Sequence, residues 1–376
     1  MLRSGRIDVG RLFGITVGFD LSWLIIAALV TYSLATGVFA DPDKLPGASD
    51  SLRWLLGGVG AVCLFTSVLF HEFAHALAAR QYGVGTRRIT LFLFGGVAEL
   101  DDEPPTPLAE FVIALAGPAA SLVAALISFA VARVAGSMAG SEPLVVAMVW
   151  VAQINLMLAL FNLVPAFPLD GGRVLRSILW WWRKDLLSAT RISSAIGQGF
   201  AFILLGLGIL RILASGSITD GVWLCLIGMF IRNAARSAYR EVAWRQLLAG
   251  EPVSQFMRRD PVVVPRHISI EELMSSYVQP HRLSSFPVVD DRRLLGVVNA
   301  RLAAQTPRIE WDRQSVGTLT EPCSTTNTVA PETDALEAFG RMRRGRQPRL
   351  LVVEGEDLVG TLTLADLLKG LSPRPS

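Results

Sequence analysis

Charge is scarce in this chain. Of its 376 residues only 18% are Asp, Glu, Lys or Arg, against about a quarter in an ordinary soluble domain, and the mean hydropathy is +0.45. That balance excludes a wholly soluble globule and points to a membrane protein. Cysteine is scarce as well. Cys63, Cys225 and Cys323 lie far apart, so no disulfide framework or CxxC metal site follows, and they read as small buried hydrophobes. The net charge of +3 is too small to suggest a nucleic-acid partner. Histidine is limited to His71, His75, His267 and His281, with the first pair inside a single five-residue run.

What is abundant is apolar sequence, and it is unevenly spread. Residues 1–235 hold nearly all the long apolar runs, whereas 251–376 read as a soluble domain. Crossing a bilayer takes roughly 20 mainly apolar residues in a helix. Six stretches come close: about 21–39, 54–79, 109–132, 144–164, 194–213 and 217–232. The last is short and would be tilted, shallow or extended into the basic segment behind it. The first follows Arg3, Arg6 and Arg11 and ends near Val38-Phe39-Ala40, as a signal peptide would. It exceeds the about 7–15 residues of a signal core, which favours a retained helix.

Basic residues set the orientation. Arg3, Arg6 and Arg11, then Arg80, Arg87 and Arg88, then Arg173, Arg176, Arg183 and Lys184, then Arg232, Arg236, Arg240 and Arg245 fall at alternate ends of these spans. The opposite ends carry little beyond Lys44, Arg53, Arg133 and Arg211. The expectation is a multi-pass protein of the cell (plasma) membrane with both termini cytoplasmic. Trp180-Trp181-Trp182 before Arg183-Lys184 suits an interfacial aromatic belt.

Residues 89–100 are apolar but too short to span, broken at Gly95-Gly96 and ended by Asp101-Asp102-Glu103. A strand-like or re-entrant element fits, and its edge could receive an extended peptide; a simple connector fits equally well. Beyond residue 250 the pattern repeats, each unit running turn, helix, strand, acidic turn, strand, helix. A period near 60 residues suggests two copies of one small α/β unit. The expected domains are a transmembrane domain over 1–235, a basic linker over 236–250, and a tandem pair over 251–376 with repeats at about 251–305 and 315–370.

The chemistry starts at His71-Glu72-Phe73-Ala74-His75. On a helix, positions i and i+4 share a face, so both imidazoles can reach one ion. Glu72 sits where it can reach a water on that ion without ligating it. This is the helical HExxH arrangement, and zinc is its usual metal. Ionisable groups within a spanning helix are costly and normally mark function. A catalytic zinc site needs a third protein ligand. Asp170, in Asn162-Leu-Val-Pro165-Ala-Phe-Pro168-Leu-Asp170-Gly171-Gly172, ends the fourth span on the side where the second span ends. From physics alone, an aspartate capping the following helix accounts for it equally well.

HEFAH on a membrane helix followed by NxxPxxPLDGG resembles the site-2 protease family of intramembrane metalloproteases, over roughly residues 10–235. The resemblance implies that His71, His75 and Asp170 bind one Zn2+ and that Glu72 is the catalytic base. It also implies that Asn162 helps to position the substrate or to stabilise the oxyanion. Ala116-Gly117-Pro118 resembles the family's small-residue packing motif, although Ala119-Ala120-Ser121 stands where the family often has an asparagine. The implied substrates are single-span membrane proteins; a helical substrate must first unwind, and a strand paired against residues 89–98 would supply that extended form.

The duplicated tail resembles a pair of cystathionine-β-synthase-type (CBS) domains, which bind adenosine nucleotides or serve structure and dimerisation. The resemblance puts Gly360, Thr361, Thr363 and Asp366 of the second repeat at the ligand positions, where the first repeat has Asn299 and Leu302. His267 and His281 read as ordinary polar histidines, and Arg341-Met-Arg343-Arg344-Gly-Arg346 as a helix end or nucleotide-facing patch. The fold expected is a polytopic α-helical membrane domain, with about six transmembrane helices and a re-entrant or β-hairpin element, plus a soluble α/β tandem CBS module. Competing readings are a CBS-regulated transporter or channel and an inactive family member acting as scaffold.

Overall fold

A computed structural model of the protein describes residues 6–92, 95–216, 218–281, 283–290, 293–324, 326–345 and 349–370. Arg3 and Arg346 of the basic clusters lie outside them. The chain divides between Val242 and Ala243 into two compact units.

The first unit is helical with one small sheet. After the hairpin of β1 (Arg6–Leu12) and β2 (Ile15–Asp20) come α1 (Ser22–Ser33), α2 (Asp50–Gln81), β3 (Thr86–Phe92) and β4 (Gly95–Leu100). Then follow α3 (Pro107–Ala135), α4 (Glu142–Asn162), α5 (Asp170–Arg183), α6 (Leu186–Ser215) and α7 (Ile218–Leu248). Their ends follow local chemistry. Ser49 caps α2 by accepting from the Leu52 N–H at 3.3 Å, and Gly83, at φ +77°, closes it. Thr106 caps α3 from the Ala109 N–H at 3.1 Å, ahead of Pro107 in the first turn.

Among the described residues, five helices, α2, α3, α4, α6 and α7, are long and apolar enough to cross a membrane. The first of the six expected spans is the exception: it forms a shorter apolar helix, Ser22–Val38, whose last turn widens at Leu34–Val38. The last extends into the basic segment, because α7 continues without a break to Leu248. Large apolar side chains such as Leu126, Ile203 and Leu213 face outward at 68%, 61% and 79% exposure, as lipid-facing residues do. α5 is too short to span. It buries Asp170, Gly171, Gly172, Arg176 and Ser177 along one side and exposes Trp181 and Trp182, which stack with Lys184 and Arg183.

The strands form one sheet in the order β1-β2-β3-β4. β1 and β2 are antiparallel around Phe13-Gly14, both at positive φ, as a two-residue hairpin requires. β2 runs parallel to β3, and β3 is antiparallel to β4. Residues 89–100 therefore contain most of β3 and all of β4, an antiparallel pair, with β3 paired on both sides and β4 at the edge. Ile15, Phe73, Ala76 and Ile89 form the core that seats this sheet on α2. The cysteines depart from expectation: none is fully buried, with Cys63 and Cys225 half-buried and Cys323 exposed, all as free thiols.

The second unit bears out the internal repeat. β5 (Val264–Pro265), β6 (Ser285–Asp290) and β7 (Arg293–Asn299) recur as β9 (Thr328–Val329), β10 (Arg349–Glu354) and β11 (Asp357–Thr363). In each copy the two-residue strand lies parallel to an antiparallel hairpin. Both hairpins shift register at the same place, Val288/Val289 and Val352/Val353. One sheet contains both copies, joined through β7 and β11, with β8 (Glu321–Pro322) beside β7. Each copy keeps its own apolar core, one around Phe286 and Val288, the other around Leu350 and Leu362.

Candidate metal centre

α2 sets His71 and His75 one turn apart on one face, both buried at 3% and 5% exposure. Their Nε2 atoms lie 3.1 Å apart. Asp170, the first residue of α5, brings Oδ2 to 3.0 Å from Nε2 of His71 and 3.2 Å from Nε2 of His75. It does not act as a capping side chain, since the cap position of α5 is Leu169. These edges approach the about 3.3 Å expected between donors on a tetrahedron with metal bonds of about 2.0–2.1 Å.

The far side of each imidazole is also held. Nδ1 of His75 lies 2.7 Å from the Ile113 carbonyl, which can only accept, so that nitrogen carries the proton and Nε2 presents a lone pair. Nδ1 of His71 lies 2.9 Å from Oγ of Ser121. Two ring nitrogens and a carboxylate oxygen thus converge on one point. The donor set suits a cation of zinc's preference, and outer partners of this kind fix ligand orientation.

Glycines make the approach possible. A methyl at Gly117 of α3 would collide with Nε2 of both histidines. A methyl at Gly171 or Gly172 would strike the backbone of Leu163–Val164 or Ala166–Phe167. The double glycine therefore lets α5 begin hard against the loop that delivers Asp170. Glu72 is half-buried beside the histidines and packs on β4, where a methyl at Gly96 would lie 2.6 Å from its Cγ.

Asn162 is placed differently. It ends α4, and its amide donates to the Leu158 carbonyl of its own helix at 3.0 Å. Three polar partners were missed in the sequence. Ser121 is buried against His71 despite standing where an asparagine was expected. Asn155, fully buried in α4, donates to Oγ of Ser67, one turn before His71, at 2.8 Å. Glu110 is fully buried and pairs with Arg176. Each is an isolated polar residue in an apolar run, save that Asn155 follows Gln153, and that was the available signal. Arg176, counted among the flanking basic residues, is itself only 4% exposed.

In the tail, Thr361 and Asp366 are buried, and both Asp366 oxygens are engaged. Oδ2 accepts from the N–H and hydroxyl of Thr363, and Oδ1 accepts from Nε of Arg258 at 2.7 Å. In the first repeat Asn299 caps a short helix at the Arg301 N–H, and Leu302 is exposed. His267 and His281 are exposed. Arg341 pairs with Glu337, while the side chains of Arg343 and Arg344 lie outside the described residues.

The sequence matches Peptidase family M50 over residues 59–138 and 133–206, and the CBS domain over 253–301 and 323–373. Rip3 of Mycobacterium tuberculosis, which carries a zinc metalloprotease name, is 38% identical over 368 residues, 96% of this chain and 92% of its own length. Zinc metalloprotease MJ0392 of Methanocaldococcus jannaschii is 30% identical, covering 86% of this chain and 87% of the relative. The solved site-2 protease from Methanocaldococcus jannaschii matches 62% of this chain and 95% of that one, at 30% identity and a TM-score of 0.45. An enzyme of this kinship is not a transporter that happens to carry a CBS tail: the chain belongs to the M50 (site-2 protease) family of membrane zinc metalloendopeptidases, with a tandem CBS module at its C-terminal end.

Proposed function

We propose that the protein cleaves single-span membrane proteins at a zinc centre held by His71, His75 and Asp170, one ion per chain, with Glu72 as general base. The observation that carries this reading is the convergence of three donor atoms, 3.0, 3.1 and 3.2 Å apart, on one buried point. When bound, zinc lowers the pKa of its water to about 7 and polarises the scissile carbonyl. Ile113 and Ser121 orient the imidazoles. The Glu72 carboxylate takes the water proton at an Oε atom and hands it to the leaving amine nitrogen. Asn162 positions substrate or supports the oxyanion, for which its amide must leave Leu158.

A helical substrate must unwind before its carbonyls are accessible. The β4 edge supports a strand-addition mode, because β3 already has neighbours on both sides and Glu72 packs against Gly96. Within residues 89–98, only the β4 part is then free to receive a substrate strand.

The same reading places the enzyme in the plasma membrane, in contact with the lipid bilayer and no nucleic acid, with both termini cytoplasmic. Its functional parts are a protease domain over 1–235, a basic connection over 236–250, and a regulatory pair over 251–376. That pair takes an adenosine nucleotide at Thr361, Thr363 and Asp366, or pairs two copies of the chain.

The deciding assay uses purified protein in detergent with a model single-span substrate, comparing wild type, Glu72→Gln and chelator-treated samples. Cleavage by wild type alone, with zinc retained in Glu72→Gln, supports the assignment. Equal cleavage in all three sinks it.

A further inference from the structure

Two charged residues are buried in the membrane unit without a part in the proposed chemistry. Glu110 is 0% exposed and Arg176 4%. A buried ion pair of this kind is seldom a net source of stability compared with apolar packing, because both charges lose their water. Its position suggests another use.

Glu110, Ile113, Gly117 and Ser121 recur at spacings that put them on one face of α3. Three of these have been placed at the metal centre. The Ile113 carbonyl holds His75, Ser121 holds His71, and Gly117 leaves the space in which the two Nε2 atoms meet. The fourth, Glu110, reaches α5. Its Oε1 accepts from Nε of Arg176 at 2.6 Å, and Arg173 approaches to 3.9 Å. The same Arg176 guanidinium reaches Glu103 at 3.4 Å and lies 5.3 Å from the centre of the Phe167 ring, in the loop leading to Asp170.

α5 needs such an anchor. Its first turn is Asp170-Gly171-Gly172, so apart from Asp170 it offers no side chain to grip a neighbour, and Leu169 supplies no capping side chain. Registration must come from the next turns. A helix displaced by one residue moves about 1.5 Å along its axis and turns about 100°. Either change would carry Asp170 away from donors that lie 3.0 and 3.2 Å from it.

We infer that Glu110 is a positioning residue for Asp170. Through Arg176 it fixes the register of α5, so that one face of α3 aligns all three metal ligands. The inference rests on the zinc reading above.

The test measures zinc affinity of the full-length protein in detergent by chelator competition, with thermal unfolding of the metal-free form as a measure of folding. Glu110→Gln should weaken zinc binding roughly 10-fold, the lower end of what losing an outer partner does. Arg176→Lys keeps the charge but loses the forked geometry, and should weaken binding in the same direction; it decides the matter if Glu110→Gln does not fold. In an Asp170→Ala background, Glu110→Gln should cost no further affinity, since its effect passes through Asp170. Wild-type zinc affinity in both single variants, with only a lower unfolding temperature, would mean a structural role and overturn the inference. So would a loss that persists without Asp170. A different result, His71→Ala binding zinc as tightly as wild type, would remove the zinc reading itself and the inference with it.

Discussion

Oγ of Ser121 lies 2.9 Å from Nδ1 of His71, across the interface between α3 and α2. A hydroxyl there holds the ring's plane, leaving Nε2 to face Asp170. Ser121→Ala should therefore lower zinc affinity by about 10- to 100-fold while the protein still inserts and purifies. Chelator competition measures this directly, and unchanged affinity would remove Ser121 from the site.

Gly117 should tolerate no side chain. Gly117→Ala brings a methyl onto both Nε2 atoms, so zinc occupancy and cleavage should both fall to background. Gly58, in the interior of α2 with open space around its Cα, is the control. There Gly→Ala should leave cleavage intact and raise stability by up to about 1 kcal/mol. Metal content by elemental analysis separates the two variants.

Metal removal should destabilise the folded protein. A ligand that binds only the native state adds about 2.7 kcal/mol at a hundred-fold excess over its Kd. Thermal unfolding should shift down on chelation and recover with zinc in wild type, and show no recovery in His71→Ala. A shift of equal size in His71→Ala would place the stabilising ion elsewhere.

Substrate addition at β4 can be probed with proline. Successive residues of an edge strand turn their N–H groups alternately inward and outward, so one of Val97→Pro and Ala98→Pro removes an outward donor only. That variant should lose cleavage of a membrane substrate while keeping zinc. If neither proline affects turnover, the edge plays no part in substrate binding.

Arg258 competes for the carboxylate that would take a nucleoside. Its ion pair with Asp366 is largely exposed on the arginine side, and such a pair is worth up to about 1 kcal/mol. Arg258→Ala should thus raise the affinity for adenosine by roughly 2- to 5-fold, read by calorimetry. No adenosine binding in either form would leave the tail a structural or pairing module.

The chemistry was more legible in the sequence than its setting. HEFAH puts its two histidines on one helix face by spacing alone, whereas spacing left Asp170 open between capping and the site, and only the resemblance of NxxPxxPLDGG singled it out. The internal repeat was also readable, since each copy closes its own core. The N-terminal hairpin was not. Residues 6–20 read as a basic flank, and only the Phe13-Gly14 turn could have signalled two strands. Ser121, Asn155 and Glu110 escaped for a related reason. A hydropathy window averages a single polar residue away, whereas a partner on another helix is what makes it affordable in an apolar interior. The first span is short: its apolar run forms a helix over Ser22–Val38 that closes through a widened last turn.

His71 and Asp170 are separated by 99 residues along the chain. At a synthesis rate of about 5–20 residues per second, the histidines are made roughly 5–20 s before the aspartate. On the proposed ligand set, a growing chain carries an incomplete donor set through that interval. It becomes a protease only once its fifth helix has been made and docked. On that ligand set, the order of synthesis itself keeps the donor set incomplete until Asp170 arrives.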